Sequence, residues 1–306
     1  MPSTLELRLR GGGGEPVDLR RTLNSHGFVD LAPFRWQAEA GELEATFAIP
    51  HARPRTVRIG PGRRGWARID VTGPRLGAAA VASLESTLRR VLRLDDDLSA
   101  FYAVAAADAD LAWVTTGAGR MVQAPTVFED VVKTVCTTNC TWSATVRMVN
   151  AIVTNLGEPA VGAAPDGPWG RAFPTPEAMA SAGEGFYRDV ARAGYRGPYL
   201  IEIARSVAAG ELDLEAFRAP ADGLPDDEVE RRLLALPGVG PYAAAHIMMT
   251  LGRYSRLILD SWTRPTFARL TGRKSVSDAA ILRRFKRFGP YAGLAFWLVL
   301  TRDWVE

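Results

Sequence analysis

The chain has 306 residues, 47% of them hydrophobic, room for one large or two to three small cores, and a modestly basic net charge of +3. No run of about 18 apolar residues occurs, which excludes a membrane-spanning helix; Met1 to Arg10 is charged and leads into no apolar stretch, so no secretory leader is expected. Two cysteines, Cys136 and Cys140, are too few for a disulfide framework or a four-cysteine iron–sulfur cluster and point to a reducing, cytoplasmic setting.

In chain order, residues 4–80 read as β-rich. Thr4 to Leu9, Phe34 to Ala38, Glu42 to Ile49, Arg55 to Ile59 and Trp66 to Thr72 alternate apolar and polar residues between Gly and Pro. Arg75 to Leu92 reads as one or two helices, and Asp95-Asp96-Asp97 as the capping run of a further helix toward Ala107. From Pro125 the pattern turns helical. Helices are predicted over Pro125 to Val135, with Thr126 and Glu129 at capping-box spacing, and over Ser143 to Leu156. After a Pro/Gly-rich loop they follow at Glu177 to Ala182, Gly185 to Ala193, Pro198 to Ala209, Asp226 to Ala235, Val276 to Phe288 and Tyr291 to Val299. The expected fold class is α+β, with a β-rich unit over 1–115 and an all-α unit over 116–306.

The segment from Leu236 to Asp260 carries the strongest chemical signal. It opens Leu-Pro-Gly-Val-Gly-Pro, runs into an apolar helix, and closes Leu-Ile-Leu-Asp. Gly238 and Gly240 permit positive φ and close approach of another backbone. The N–H groups at a helix start favour an anion such as phosphate, and Pro241 suits the first helical position. Asp260 follows three aliphatics and is expected to be partly desolvated; alternatively it caps the helix that starts near Ser261. The glycines alone would also serve an ordinary helix-turn-helix connection.

Leu-Pro-Gly-Val-Gly, then a helix, then Leu-Asp resembles the helix-hairpin-helix-GPD superfamily of DNA base-excision glycosylases. The resemblance extends to Pro33-Phe34-Arg35-Trp36, Cys136-Thr137-Thr138-Asn139, Tyr195-Arg196 with Pro198-Tyr199, and Tyr291-Ala292-Gly293, which are similar to stretches of the 8-oxoguanine glycosylases. It implies a TATA-binding-protein-like N-terminal domain followed by a helix-hairpin-helix glycosylase domain. It implies Gly238, Val239 and Gly240 as the phosphate grip and Asp260 as the carboxylate that assists cleavage of the N-glycosidic bond. It also implies a monovalent cation on the main-chain carbonyls of Leu234, Leu236 and Val239, with no other cofactor required.

In lyase members of the superfamily a lysine stands two residues after the last hairpin glycine. Here that residue is Tyr242, and the lysines are Lys133, Lys274 and Lys286. Without an amine there is no Schiff base, so a monofunctional enzyme using water is expected. Tyr242 and His246 share a helix face and match positions that line the base pocket in 3-methyladenine glycosylase II; packing between helices is the alternative for both. Asn139 matches the residue that fills the gap left by a flipped nucleotide, and a helix cap is its alternative. Leu31, Phe296, Leu300 and Trp262 fall at base-reading positions of the 8-oxoguanine enzymes with different residue types, arguing against 8-oxoguanine. Asp303 is expected to pair with Arg264 or another group at the pocket edge. The implied partner is double-stranded DNA, bound by a cytoplasmic, nucleoid-associated monomer. The functional alternatives are an antiphage enzyme excising modified cytosine and a non-catalytic DNA-binding protein.

Overall fold

The structure is a computed structural model that describes residues 3–305. Met1, Pro2 and Glu306, where the leader reading and the outer limits of the two units fall, lie outside the described residues.

Five antiparallel strands form one sheet in the order β1-β5-β4-β3-β2: β1 (Ser3–Arg8), β2 (Phe34–Gln37), β3 (Glu42–Ile49), β4 (Ala52–Pro61) and β5 (Trp66–Val71). Alternation sets its two faces. Leu43 pairs with Ile59 and Ile59 with Ile69, so these aliphatics stack on one side. They are sealed there by Leu84, Leu88 and Val91 of helix α2 (Ala78–Val91). On the other face Arg68 reaches Glu42 at 2.9 Å and Arg58 reaches Glu44 at 3.4 Å. Such solvent-facing pairs add little stability.

All five strands lie where alternation predicts them. The sequence reading missed α1 (Leu19–Leu23) and a 3-10 turn over Gly27–Asp30. Both are too short to display a helical period, although Asp18 caps α1 by accepting from the Arg21 N–H. Of the triple aspartate only Asp97 meets the start of α3 (Ser99–Ala106), accepting from the Ser99 N–H at 2.8 Å, while Asp95 and Asp96 pair with Arg89 and Arg93.

The helical body follows: α4 (Val127–Thr137), α5 (Trp142–Leu156), α6 (Pro176–Ser181), the single turn α7 (Gly183–Gly185), α8 (Arg196–Ala208), α9 (Asp226–Leu234), α10 (Pro241–Thr250), α11 (Thr263–Leu270), α12 (Asp278–Phe285) and α13 (Ala292–Thr301). Helix α10 organises it. Ala243, Ala244, Ile247 and Met248 belong to one core with α4, α5 and α8, while Ala245 and Met249 belong to a second with α3, α12 and α13. Lodged between two cores, α10 is buried from Ala243 to Thr250, with His246 and Thr250 as its polar residues there. The buried residues of α3, Phe101, Tyr102 and Ala105, pack with the C-terminal helices rather than with the sheet.

Candidate DNA-binding and base-excision cleft

The hairpin between α9 and α10 turns at Gly238, whose φ is +77°. A Cβ at this position would stand 2.6 Å from Cδ2 of Tyr199, so both conformation and space demand glycine. Gly240 departs from expectation. Its φ is −98°, a conformation open to any residue, and a Cβ there would meet nothing within 4 Å. Its freedom is spatial: it is the exposed residue before α10, and no side chain caps that helix. The amides of Tyr242 and Ala243 therefore start α10 without a capping side chain, the arrangement that suits an anion. Val239 turns inward instead; its side chain joins the core and its N–H donates to the Leu236 carbonyl at 3.2 Å.

Gly238 and Gly240 form one edge of a cleft of about 950 Å³ whose walls also include Asn139, Tyr242, His246, Asp260 and Trp262. The structure thus gathers residues spread from 139 to 262. Asn139 sits on the exposed loop between α4 and α5 in the left-handed region, φ +45°. Its amide Nδ2 is 3.4 Å from the Tyr195 hydroxyl, and the Arg196 guanidinium donates to the neighbouring Thr138 carbonyl. The loop is fixed from behind, and Asn139 stands at its tip.

Asp260 is half-buried, and both sequence readings of it apply. Its Oδ1 accepts from the Trp262 N–H at 2.8 Å and the Thr263 N–H at 2.6 Å, capping α11, while the Thr263 hydroxyl accepts from the Asp260 N–H at 2.8 Å. Oδ2 takes none of these bonds. The capping bonds fix the carboxylate's direction and leave one oxygen for chemistry. Tyr242 stands close by: burial is the main cause that raises its phenol pKa, and the Asp260 charge adds to it, partly offset by the Thr137 hydroxyl 3.3 Å away.

The inner end of the cleft is aromatic. His246 meets Phe28 at 4.7 Å between ring centroids, tilted 37°, and lies edge-on to His26 at 5.9 Å and Tyr242 at 6.0 Å. His26 is fully used: Nε2–H donates to the Val122 carbonyl at 2.6 Å, and Nδ1 accepts from the Phe28 N–H at 3.3 Å. Burial lowers its pKa to about 4. Burial lowers the His246 pKa to about 3, with His26 a smaller contributor. Both rings are neutral at physiological pH.

Three expected pocket residues are elsewhere. Phe296 packs against Phe267 and Phe285 with no exposed surface, and Leu300 lies in the same core. Leu31 is sealed into the α4–α5 core. Trp297, one position along α13 from Phe296, faces the cleft instead and donates from Nε1 to the Ser25 carbonyl at 2.7 Å. One residue is about 100° around a helix, enough to exchange core for cleft. Trp297 packs with Trp262 and Trp304 at 5.6–5.8 Å, a tryptophan cluster beside Asp260 that sequence reading reached only at Trp262. Arg264 does not meet Asp303; it makes a bidentate pair with Asp278 at 2.7 and 2.9 Å.

Among the described residues no lysine lines the cleft. Lys133 is buried against Glu129 at 2.6 Å, and Lys274 and Lys286 are exposed elsewhere. No cluster of three or more His, Cys, Asp or Glu side chains among the described residues is arranged to hold a metal ion, and no described helix is long and apolar enough to cross a membrane.

An antiparallel sheet ahead of a helical body is a fold shared with solved DNA glycosylases. The chain superposes on the 3-methyladenine DNA-glycosylase of Archaeoglobus fulgidus with a TM-score of 0.74 at 18% identity, over 98% of this chain and 99% of that one. It superposes on the Clostridium acetobutylicum 8-oxoguanine glycosylase/lyase, in complex with double-stranded DNA containing cytosine opposite 8-oxoguanine, with a TM-score of 0.71 at 18% identity over 99% and 98%. In sequence it is 24% identical over 200 residues to the "Probable N-glycosylase/DNA lyase" of Methanothermobacter thermautotrophicus, a match that spans 55% of this chain and 57% of that protein. No protein-family model matches the chain.

Proposed function

We propose that the protein is a monofunctional DNA glycosylase. It binds double-stranded DNA, turns one damaged or modified nucleotide into the cleft, and hydrolyses its N-glycosidic bond, leaving an abasic site. The observation that carries this reading is Asp260: a carboxylate aimed into the cleft by two capping amides, with Oδ2 unclaimed by them. As the bond to the base breaks, the sugar develops oxocarbenium character. Oδ2 stabilises that charge and orients water, which adds its oxygen to the anomeric carbon and gives a proton to Oδ2, while the base leaves with the bonding pair and takes a proton from solvent. The uncapped amides of Tyr242 and Ala243 hold a backbone phosphate, and Asn139 enters the gap left in the helix.

Tyr242, where a lyase has its lysine, and the absence of any lysine lining the cleft among the described residues support water rather than an amine as nucleophile. A monovalent cation held by the neutral main-chain carbonyls of Leu234, Leu236 and Val239 would bridge hairpin and phosphate. The Leu236 oxygen keeps a second lone pair beside the Val239 N–H it accepts.

The test uses duplexes carrying alkylated, oxidised, deaminated and hydroxymethylated bases, with release read by mass spectrometry and abasic sites by alkali. Free base and alkali-dependent cleavage are expected. Strand breaks without alkali, or a borohydride-trapped adduct, would overturn the monofunctional reading. DNA binding without release of any base would leave only a DNA-binding role.

A further inference from the structure

His246 stands apart from the other cleft residues. Its imidazole is 7% exposed, and neither Nδ1 nor Nε2 has a hydrogen-bond partner. A buried, unpaired polar group is costly and calls for a reason. No neighbour supplies one: His26 has both nitrogens committed, the Tyr242 hydroxyl points to Thr137, and Phe28 offers only carbon. The ring is on the cleft wall, packed beside the Phe28 ring. Because no protein bond selects its tautomer, either nitrogen can donate or accept.

Building on the glycosylase reading, we propose that His246 is the specificity-determining residue of the cleft and that the substrate is an uncharged base with a polar edge. The extruded base enters the cleft beside the imidazole, and its edge completes the missing hydrogen bond. Whichever of donor or acceptor the base presents, the neutral ring supplies the other. A site that holds an unpaired polar group in reserve discriminates strongly, since a ligand that cannot satisfy it leaves that group buried and unmet. A cationic N-alkylated purine can meet the imidazole too, but its glycosidic bond is already labile, so its release depends less on that hydrogen bond. His246 acts on recognition, and Asp260 on bond cleavage.

The experiment compares wild type with His246→Phe and His246→Gln on duplexes containing hypoxanthine, 8-oxoguanine or 5-hydroxymethylcytosine, and on dimethyl-sulfate-treated DNA containing 7-methylguanine. Single-turnover release gives kcat/KM for each. Wild type is expected to favour at least one uncharged base. In His246→Phe the ratio of kcat/KM for that base over 7-methylguanine falls at least about tenfold, the loss of one hydrogen bond to a buried group. His246→Gln, which retains a donor and an acceptor, recovers part of it. Thermal melts confirm folding, and His246→Phe is expected to melt no lower than wild type because it removes two unpaired buried nitrogens. An unchanged ratio in His246→Phe, or a wild type that releases only 7-methylguanine, overturns the role of His246 while leaving the glycosylase reading intact. Release of no base by wild type overturns both.

Discussion

Asp260 offers a perturbation in which stability and chemistry separate. Its Oδ1 accepts the Trp262 and Thr263 amides, so Asp260→Ala removes a helix cap and leaves two N–H groups at the start of α11 without it. Loss of such a cap costs about 1–2 kcal/mol, or a few degrees in Tm for a chain of this size. Asp260→Asn keeps a side-chain oxygen at the same place, and asparagine caps as well as aspartate; its cost is expected to stay below about 0.5 kcal/mol. What asparagine lacks is the negative charge on the free oxygen. If that charge stabilises the sugar cation and orients water, Asp260→Asn loses about 10²- to 10⁴-fold in single-turnover base release while melting within about 2 °C of wild type. Thr263→Ala is the counterpart, breaking the 2.8 Å bond that returns from the hydroxyl to the Asp260 N–H while keeping the charge. It is expected to destabilise about as much as a lost cap and to slow release far less than Asp260→Asn. The assay is base release at saturating enzyme, beside thermal melts of all three variants. An Asp260→Asn enzyme as fast as Thr263→Ala would refute the reasoning and leave Asp260 a helix cap alone.

Other expectations follow from the same geometry. Folded-state pKa values of about 4 for His26 and about 3 for His246 lie below the ordinary 6.5, so on acidification the unfolded chain takes up these protons first. Their stabilising contribution is whole above about pH 6.5 and is lost at about 1.4 kcal/mol per pH unit per histidine as pH falls toward 4. Asp130, raised to about 7 mainly by burial, opposes this by one proton, because there the folded state holds the proton longer. Urea melts at pH 6.5 and 4.5 should therefore show His246→Phe losing about 2 kcal/mol less than wild type over that interval. Gly238→Ala, forced into φ +77° with a Cβ 2.6 Å from Tyr199, should lower both Tm and DNA affinity. Gly240→Ala, in open space at φ −98°, should spare Tm yet weaken binding if a phosphate approaches there, as fluorescence anisotropy would report. Lys133→Met strands the buried Glu129 carboxylate and should destabilise by about 3–5 kcal/mol in a thermal melt, without changing the yield of borohydride-trapped adduct.

What the sequence made legible follows from where each signal resides. The strands carry a two-residue period that survives without tertiary context, and Gly238 and Asp260 belong to one local segment. Phe296 and Trp297 show the opposite case. Helix α13 is buried along nearly its whole length and apolar all round, so no polar face reveals which side meets the cleft, and a one-residue difference in register moved the expected pocket wall into the core. Leu31 was misplaced for a related reason: the 3-10 turn just before it directs Phe28 toward His246 while Leu31 itself is sealed behind. His26 escaped notice because its meaning is non-local. Its partner carbonyl, Val122, is 96 positions away, and only the folded chain shows that the imidazole is committed. The presence of histidine was a visible signal; its place beside His246 was not.

The position of α10 between two cores has a practical consequence for altering the range of bases accepted. A helix wedged on every side behaves as a fixed beam: enlarging or trimming a neighbour in either core shifts Tyr242 and His246 together and endangers the fold before it retunes the cleft. The adjustable surface lies opposite the beam, on Trp142, Tyr195, Trp262 and Trp304, which are 38–52% exposed and sit on other elements. A library confined to those rim positions would reshape the mouth for a bulkier base while the imidazole and the carboxylate stay in register.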